Sequence, residues 1–180
     1  LYGSADKDFD PTSGFIFEYN PTKNKLKILK KLNTPKGYDP VGAIAILDNK
    51  LYGVTRNAGS FDGTLFEFDL LTSQLKTRYR FNQKTGGPPN CIMIASNGLL
   101  YGATSNGGRF GLGSIFEFNP ESKTLKHKKW LIGSDNGEQI AFGLARANNG
   151  KLYGIMGTGG KYNGGTLFEF DPVKCVLVKK

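Results

Sequence analysis

Residues 97–120 read Asn97-Gly98-Leu99-Leu100-Tyr101-Gly102-Ala103-Thr104, then Ser105-Asn106-Gly107-Gly108-Arg109-Phe110-Gly111-Leu112, then Gly113-Ser114-Ile115-Phe116-Glu117-Phe118-Asn119-Pro120. Two short apolar runs flank a glycine-rich stretch too polar and too flexible to be anything but a loop. Each run is too short for a helix and rich in aromatic and branched residues, so each predicts a strand. Both signatures recur along the chain. Leu-Tyr-Gly stands at Leu1-Tyr2-Gly3, Leu51-Tyr52-Gly53, Leu100-Tyr101-Gly102 and Leu152-Tyr153-Gly154, at spacings of 50, 49 and 52. Phe17-Glu18-Tyr19, Phe66-Glu67-Phe68, Phe116-Glu117-Phe118 and Phe168-Glu169-Phe170 follow it at steps of 16, 15, 16 and 16. The repeat therefore governs the fold.

Around these two strands, B and C, each complete unit supplies two more. Strand A is expected at Ala43–Leu47, Ile92–Ala95 and Leu144–Ala147, and strand D at segments such as Leu75–Phe81. Four antiparallel strands in about 50 residues is the period of a propeller blade. The expected fold is all-β: four repeats at 1–38, 39–87, 88–138 and 139–180, with no strand A in the first. Two closures are open: a section of a propeller of six to eight blades, or a four-bladed ring with one deficient blade. The first needs the rest of a longer chain, or another copy, to complete the ring. Within each C–D hairpin, Glu18 and Lys27, Glu67 and Lys76, and Glu117 and Lys126 lie nine apart, which predicts that they face each other across the strands. The Phe-x-Phe rings share one face of each blade and are expected to pack between blades.

Composition narrows the function. Lys+Arg 24 against Asp+Glu 15 gives a net charge of +9. The lysines are scattered over strand D and the turns, where they protect an outer sheet edge, and no nucleic-acid-binding module is present. No apolar run reaches the ~20 residues of a membrane helix. The 2 Cys and 1 His exclude a disulfide scaffold and most His/Cys metal sites. Cys91 and Cys175 are expected on opposite faces and unpaired. His127, within Lys-His-Lys-Lys on an edge strand, has no acid nearby to orient it as a base. The sequence holds no nucleophile elbow or phosphate loop, so no catalytic residue is assigned.

Asn97-Gly98, Leu100-Tyr101-Gly102, Thr104, Gly107-Gly108, Gly113 and Phe116-Glu117-Phe118, with their counterparts in the second and fourth units, resemble the GloVer tandem repeat of bacterial proteins. The resemblance covers essentially the whole chain. It implies an exported, propeller-like protein, extracellular or on the cell surface, and implies no reaction. Unit one departs from the pattern, with Asp6-Lys7 near the position of the double glycine. Cys91 replaces the glycine found at Gly42 and Gly143.

The loops between strands B and C hold the candidate ligand-binding residues. They are Arg56, Asn57 and Phe61; Asn106, Arg109 and Phe110; and Lys161, Tyr162 and Asn163. Each set joins a cation, an amide and an aromatic, which suits sugar rings or acidic polymers. The hydroxyls of Thr55 and Thr104 are further candidates for sugar contacts. The opposing expectation is that each ring folds down as a plug over its blade. Asp6, Asp8 and Asp10 alternate as at the start of a calcium loop, although Pro11 replaces the usual glycine. Calcium is thus the one cofactor the sequence suggests. The expected role is a binding, adhesion or structural module with a glycan, another surface polymer or a protein as partner. The alternatives are a lectin using the B–C loop face and a polysaccharide-cleaving enzyme.

Overall fold

The computed structural model describes residues 1–6, 13–33, 35–133 and 140–180. They form four antiparallel sheets and no helix. The first sheet has three strands, β1 (Tyr2–Asp6), β2 (Ser13–Asn20) and β3 (Lys25–Asn33). The second holds β4 (Tyr38–Leu47), β5 (Lys50–Asn57), β6 (Thr64–Asp69) and β7 (Leu75–Arg80). The third holds β8 (Pro89–Ile94), β9 (Leu100–Thr104), β10 (Ser114–Asn119) and β11 (Thr124–Trp130). The fourth holds β12 (Ile140–Arg146), β13 (Leu152–Met156), β14 (Thr166–Asp171) and β15 (Val176–Lys179). Each is a meander in chain order, and successive sheets pack face to face with β1 against β4, β4 against β8 and β8 against β12. The architecture is the radial blade array the repeat predicts.

The two repeated tripeptides interlock. Gly53 pairs with Phe66, Gly102 with Phe116 and Gly154 with Phe168 across adjacent strands. A Cβ on any of these glycines would collide with the opposite phenylalanine ring. The glycine is there for close approach: the ring lies flat over the neighbouring strand and is fully buried. The rings fill the spaces between blades, as expected. Phe116 and Phe118 pack on Val54 and Leu65 of the preceding blade, and Phe168 and Phe170 pack on Ala103 and Ile115. Phe66 and Phe68 meet Ile16 and Leu32 in the same way.

Strand A begins earlier than the sequence suggests. The register shifts between Val41 and Ala45, between Pro89 and Cys91, and between Ile140 and Leu144. Proline and glycine here mark β-bulges within an inner strand, not turns before it. Gly42 and Gly143 flank Cys91, whose Cβ a methyl group on either glycine would meet at 3.6–3.7 Å. Small residues at this level let the inner strands converge. Both cysteines are free, with Cys91 buried, and burial pushes its thiol up to about 11.

The hairpin register also holds: Glu18 faces Lys27, Glu67 faces Lys76 and Glu117 faces Lys126. The ion pairs, however, form two residues further along strand D. Arg78 donates Nε–H and Nη2–H to the two oxygens of Glu67, both at 2.8 Å. Lys128 approaches Glu117 at 3.3 Å and Lys180 approaches Glu169 at 3.0 Å. The carboxylates lie in the sheet interior, whereas Lys76 and Lys126 remain in water. A bulge between Leu65 and Phe66, repeated at Ile115 and Phe116, changes the local register beside each carboxylate.

Candidate recognition faces

The meander places the B–C and D–A loops on one rim of the array and the A–B and C–D turns on the other. On the B–C rim three loops carry an aromatic ring beneath a cation. Arg80 lies 5.2 Å from the centroid of Phe61, Arg109 lies 5.3 Å from Phe110, and Lys161 lies 5.1 Å from Tyr162. The rings are 37 %, 50 % and 84 % exposed, so they are not plugs over the blades. A π-face flanked by a cation offers an apolar surface and a positive charge at one point.

The polar partners differ from the sequence reading. The cation over Phe61 is Arg80, from the end of β7, and Arg56 stands exposed nearby. Arg80 also donates Nη1–H to the carbonyl of Pro35 at 2.7 Å, which fixes it on the D–A loop side. Asn57 donates to Asp39 at 3.0 Å. Asn106 accepts from Gln83 at 3.3 Å, and its carbonyl takes the Gly87 N–H at 2.6 Å. Asn163, at φ 53°, accepts the Gly159 N–H at 2.8 Å through its side chain. These amides hold loops in shape, and Asn or Asp tolerates the left-handed conformation such turns need.

Thr55 and Thr104 are corrections of a different kind. Both are buried, and their hydroxyls face inward. Thr55 Oγ1 lies 2.9 Å from Thr64 Oγ1, and Thr104 Oγ1 lies 3.2 Å from Ser114 Oγ. In the third blade the pair extends to His127, whose Nδ1 is 2.8 Å from Ser114 Oγ. His127 stacks on Trp130 at 4.5 Å, with Tyr79 of the preceding blade edge-on at 6.5 Å. Burial lowers the imidazole below its ordinary range. The sequence placed this histidine among exposed lysines; strand alternation turns it inward instead. Asp6 ends β1, while Asp8 and Asp10 of the expected calcium loop lie outside the described residues.

The opposite rim has a groove the sequence did not reveal. It lies between the second and third blades, has a volume of about 600 Å³, and is lined by Leu47, Lys50, Asn97, Leu99, Pro120 and Lys123 among others. It is formed by the A–B turns of two successive blades and the C–D turn of the third, which are far apart in sequence, so no local signal announces it.

A family model described as Gloeobacter/Verrucomicrobia repeat matches residues 1–178. No curated protein matches the chain. Solved structures of similar shape include TolB from Acinetobacter baumannii (TM-score 0.64, 11 % identity, 96 % of this chain and 39 % of that one). The nidogen/laminin complex aligns at TM-score 0.65 and 13 % identity over 99 % of this chain and 60 % of that one. The periplasmic gluconolactonase of Pseudomonas aeruginosa aligns at TM-score 0.61 and 12 % identity over 96 % and 50 %. At such identities the likeness is one of fold, that of β-propeller proteins, which serve both enzymes and non-enzymes. The chain spans 39 %, 60 % and 50 % of these proteins.

Proposed function

The chain belongs to the Gloeobacter/Verrucomicrobia repeat family, and on that footing we propose that it is an exported binding module that holds an extended glycan, acidic or neutral, on its B–C loop rim. The observation that carries this reading is the repetition of an exposed ring beneath a cation in three successive blades, at Phe61, Phe110 and Tyr162. A sugar ring stacks its C–H face on an aromatic ring, and the adjacent guanidinium or ammonium takes a carboxylate or sulfate. Single contacts of this kind are weak, and a linear polymer that meets several at once gains by avidity. The net charge of +9 adds a long-range attraction for acidic polymers. The loop amides are engaged within the protein, so recognition rests on rings and cations.

Affinity electrophoresis through gels containing polygalacturonate, with neutral xylan alongside, tests the proposal. The expected result is retardation in polygalacturonate that weakens with added salt, and a loss of at least tenfold in affinity when Arg109→Ala and Tyr162→Ala are combined. Free migration in both gels would overturn the glycan reading. A shortened polymer after incubation would replace it with a cleavage activity. The groove between the second and third blades gives a second reading, with the ligand on the opposite rim. Retardation that survives the loop variants and is abolished by Asn97→Ala with Lys123→Ala would move the site there.

A further inference from the structure

The sequence contains five Asn-Gly steps, at Asn97-Gly98, Asn106-Gly107, Asn136-Gly137, Asn149-Gly150 and Asn163-Gly164. Such a step can modify itself. The glycine nitrogen attacks the carbonyl carbon of the asparagine side chain. A new C–N bond forms, and the side-chain amide leaves as ammonia with the proton the glycine nitrogen gives up. Water then opens the succinimide at either carbonyl, giving aspartate or isoaspartate. Glycine favours the attack because no Cβ shields its nitrogen. The fold favours or blocks it through whatever holds that nitrogen and the side-chain amide.

Asn136-Gly137 lies outside the described residues, and the other four steps differ. In the A–B turns the glycine nitrogen is engaged: Gly98 donates its N–H to the Ala95 carbonyl at 3.2 Å and Gly150 to that of Ala147 at 3.1 Å. Both asparagines are held at two points. Asn97 accepts the Leu99 N–H at 3.1 Å and donates to the Tyr101 hydroxyl at 3.5 Å. Asn149 accepts the Lys151 N–H at 3.0 Å and donates to the Tyr153 hydroxyl at 3.1 Å. Gly107 donates to the Gly111 carbonyl at 3.1 Å and is packed so closely that a Cβ would fall 2.4 Å from the Gly87 nitrogen. At Asn163-Gly164 the neighbouring N–H groups are engaged, Asn163 with Gly160 at 3.2 Å and Gly165 with Gly159 at 3.1 Å, but the Gly164 N–H makes no hydrogen bond among the described residues. Space around Gly164 is open. Asn163 accepts the Gly159 N–H at 2.8 Å on its side-chain oxygen, which polarises the carbonyl under attack. The openness belongs to the loop itself. Asn163 and Gly111 each stand two residues before the glycine that opens strand C, both are left-handed, and Gly111 has open space around it with the fourth blade in place.

We propose that Asn163-Gly164 is a site of spontaneous deamidation, the fastest of the four described, and that the carboxylate formed there weakens the hold of the B–C rim on acidic polymers. The second half rests on the glycan reading above. Position 163 adjoins Tyr162, whose ring has Lys161 5.1 Å from its centroid. A negative charge there opposes the cation that meets an acidic sugar, and isoaspartate also adds a methylene to the loop backbone.

Peptide mapping by mass spectrometry tests the first half on the full chain aged in mildly alkaline buffer, with isoaspartate counted by enzymatic methyl transfer. Conversion at Asn163 should run several times faster than at Asn97, Asn106 or Asn149 in the folded protein, and all four should convert at comparable rates in denaturant. Gly164→Ala puts a methyl group into open space at a glycine outside the left-handed region, so it should keep the wild-type melting transition and slow conversion at Asn163. An amide at 163 that outlasts those at 97 or 149 would overturn the proposal, and so would the same ranking in denaturant. Affinity electrophoresis in polygalacturonate tests the second half. Asn163→Asp should bind about two- to fivefold more weakly than wild type, as suits one surface charge. Aged wild type should weaken likewise, and aged Gly164→Ala should keep its fresh affinity. Equal retardation of Asn163→Asp and wild type would overturn the effect on the rim. Fresh wild type that migrates freely would sink the glycan reading and the second half with it, while the mass measurement decides the first.

Discussion

Tyr153 donates its phenolic hydrogen to Glu169 across 2.8 Å, and the two residues come from the two tripeptides that define the repeat. The same bond joins Tyr101 to Glu117, where burial and that carboxylate push the phenol up to about 12. Tyr52 and Glu67 form it in the second blade. The tripeptides recur at fixed separation because they are two halves of one contact: tyrosine to glutamate on one face of the sheet, phenylalanine over glycine on the other.

In the fourth blade this contact ties stability to pH. Hydrogen bonds from Lys151, Tyr153 and Lys180 hold the Glu169 carboxyl at about 2, below its ordinary 4.5. A carboxylate with a depressed native value contributes stability that is complete above the unfolded value and is lost as pH falls through the native one. Its contribution is therefore full above pH 4.5 and disappears between 4.5 and about 2. Glu169→Gln, followed by denaturant titration at a series of pH values, should flatten stability in that window relative to wild type. An unchanged profile would mean that the bond network does not bias the proton.

Arg78 tests the buried end of the same network. Its guanidinium bonds Glu67 through two parallel contacts, and Lys50 stands 3.4 Å from the same carboxylate. Burial alone would raise the Glu67 carboxyl, but Arg78 and then Lys50 outweigh it and hold it below its ordinary value. Arg78→Met leaves a carboxylate inside the sheet with the Tyr52 hydroxyl and a lysine at its edge in place of the forked guanidinium. Removing one member of a buried pair costs about 3–5 kcal/mol. Arg78→Lys should recover part of that, because a single ammonium cannot reproduce the forked geometry. Chemical denaturation of both variants at neutral pH gives the comparison.

Much of the fold was legible because its information is local and repeated. Leu-Tyr-Gly and Phe-Glu-Phe name strands B and C outright, and the nine-residue step between Glu67 and Lys76 fixes the hairpin register. What was hidden depends on bulges and on contacts between blades. A register shift beside Phe66 accompanies the transfer of the ion pair from Lys76 to Arg78. Val41, Pro89 and Ile140 lie beyond bulges that read as strand ends. Of the candidate residues, the rings Phe61, Phe110 and Tyr162 lie in the B–C loops where the repeat places them, but their exposure was not legible. Thr55 and Thr104 looked like surface hydroxyls because sequence does not say which face of a strand is covered. Arg80 was overlooked because it reaches Phe61 only after β7 folds back beside its loop.

The interlock of Gly53 and Phe66 predicts strong coupling. Phe66→Ala should cost about 3–5 kcal/mol through the cavity left between blades. Gly53→Ala drives a methyl group into the ring and should cost about 1–3 kcal/mol by overpacking. With the ring removed, the methyl has room, so the double variant should be no less stable than Phe66→Ala alone. A double-mutant cycle by thermal and chemical denaturation measures this. Simple additivity would show that the ring and the glycine do not share the space.

His127 gives the fold a second pH dependence, nearer neutrality. Its imidazole is held between Trp130 and the Ser114 hydroxyl, and burial lowers it from its ordinary 6.5. The unfolded chain takes up the proton at 6.5, whereas the native state resists it until lower pH. Acid therefore favours the unfolded chain: the full contribution is present above about pH 6.5, and it declines as pH falls below that towards the native value. The equivalent position of the second blade is Thr77, which shows that the blade accepts a short hydroxyl side chain there. His127→Thr should lower stability at pH 7 through the lost stacking. It should also remove the decline just below pH 6.5 and leave the carboxylate-driven loss at lower pH intact. The same substitution should leave the B–C rim unchanged in its retention by polygalacturonate, since His127 lies beneath the rim and not on it. A variant that keeps the wild-type decline below pH 6.5 would place the titrating group elsewhere.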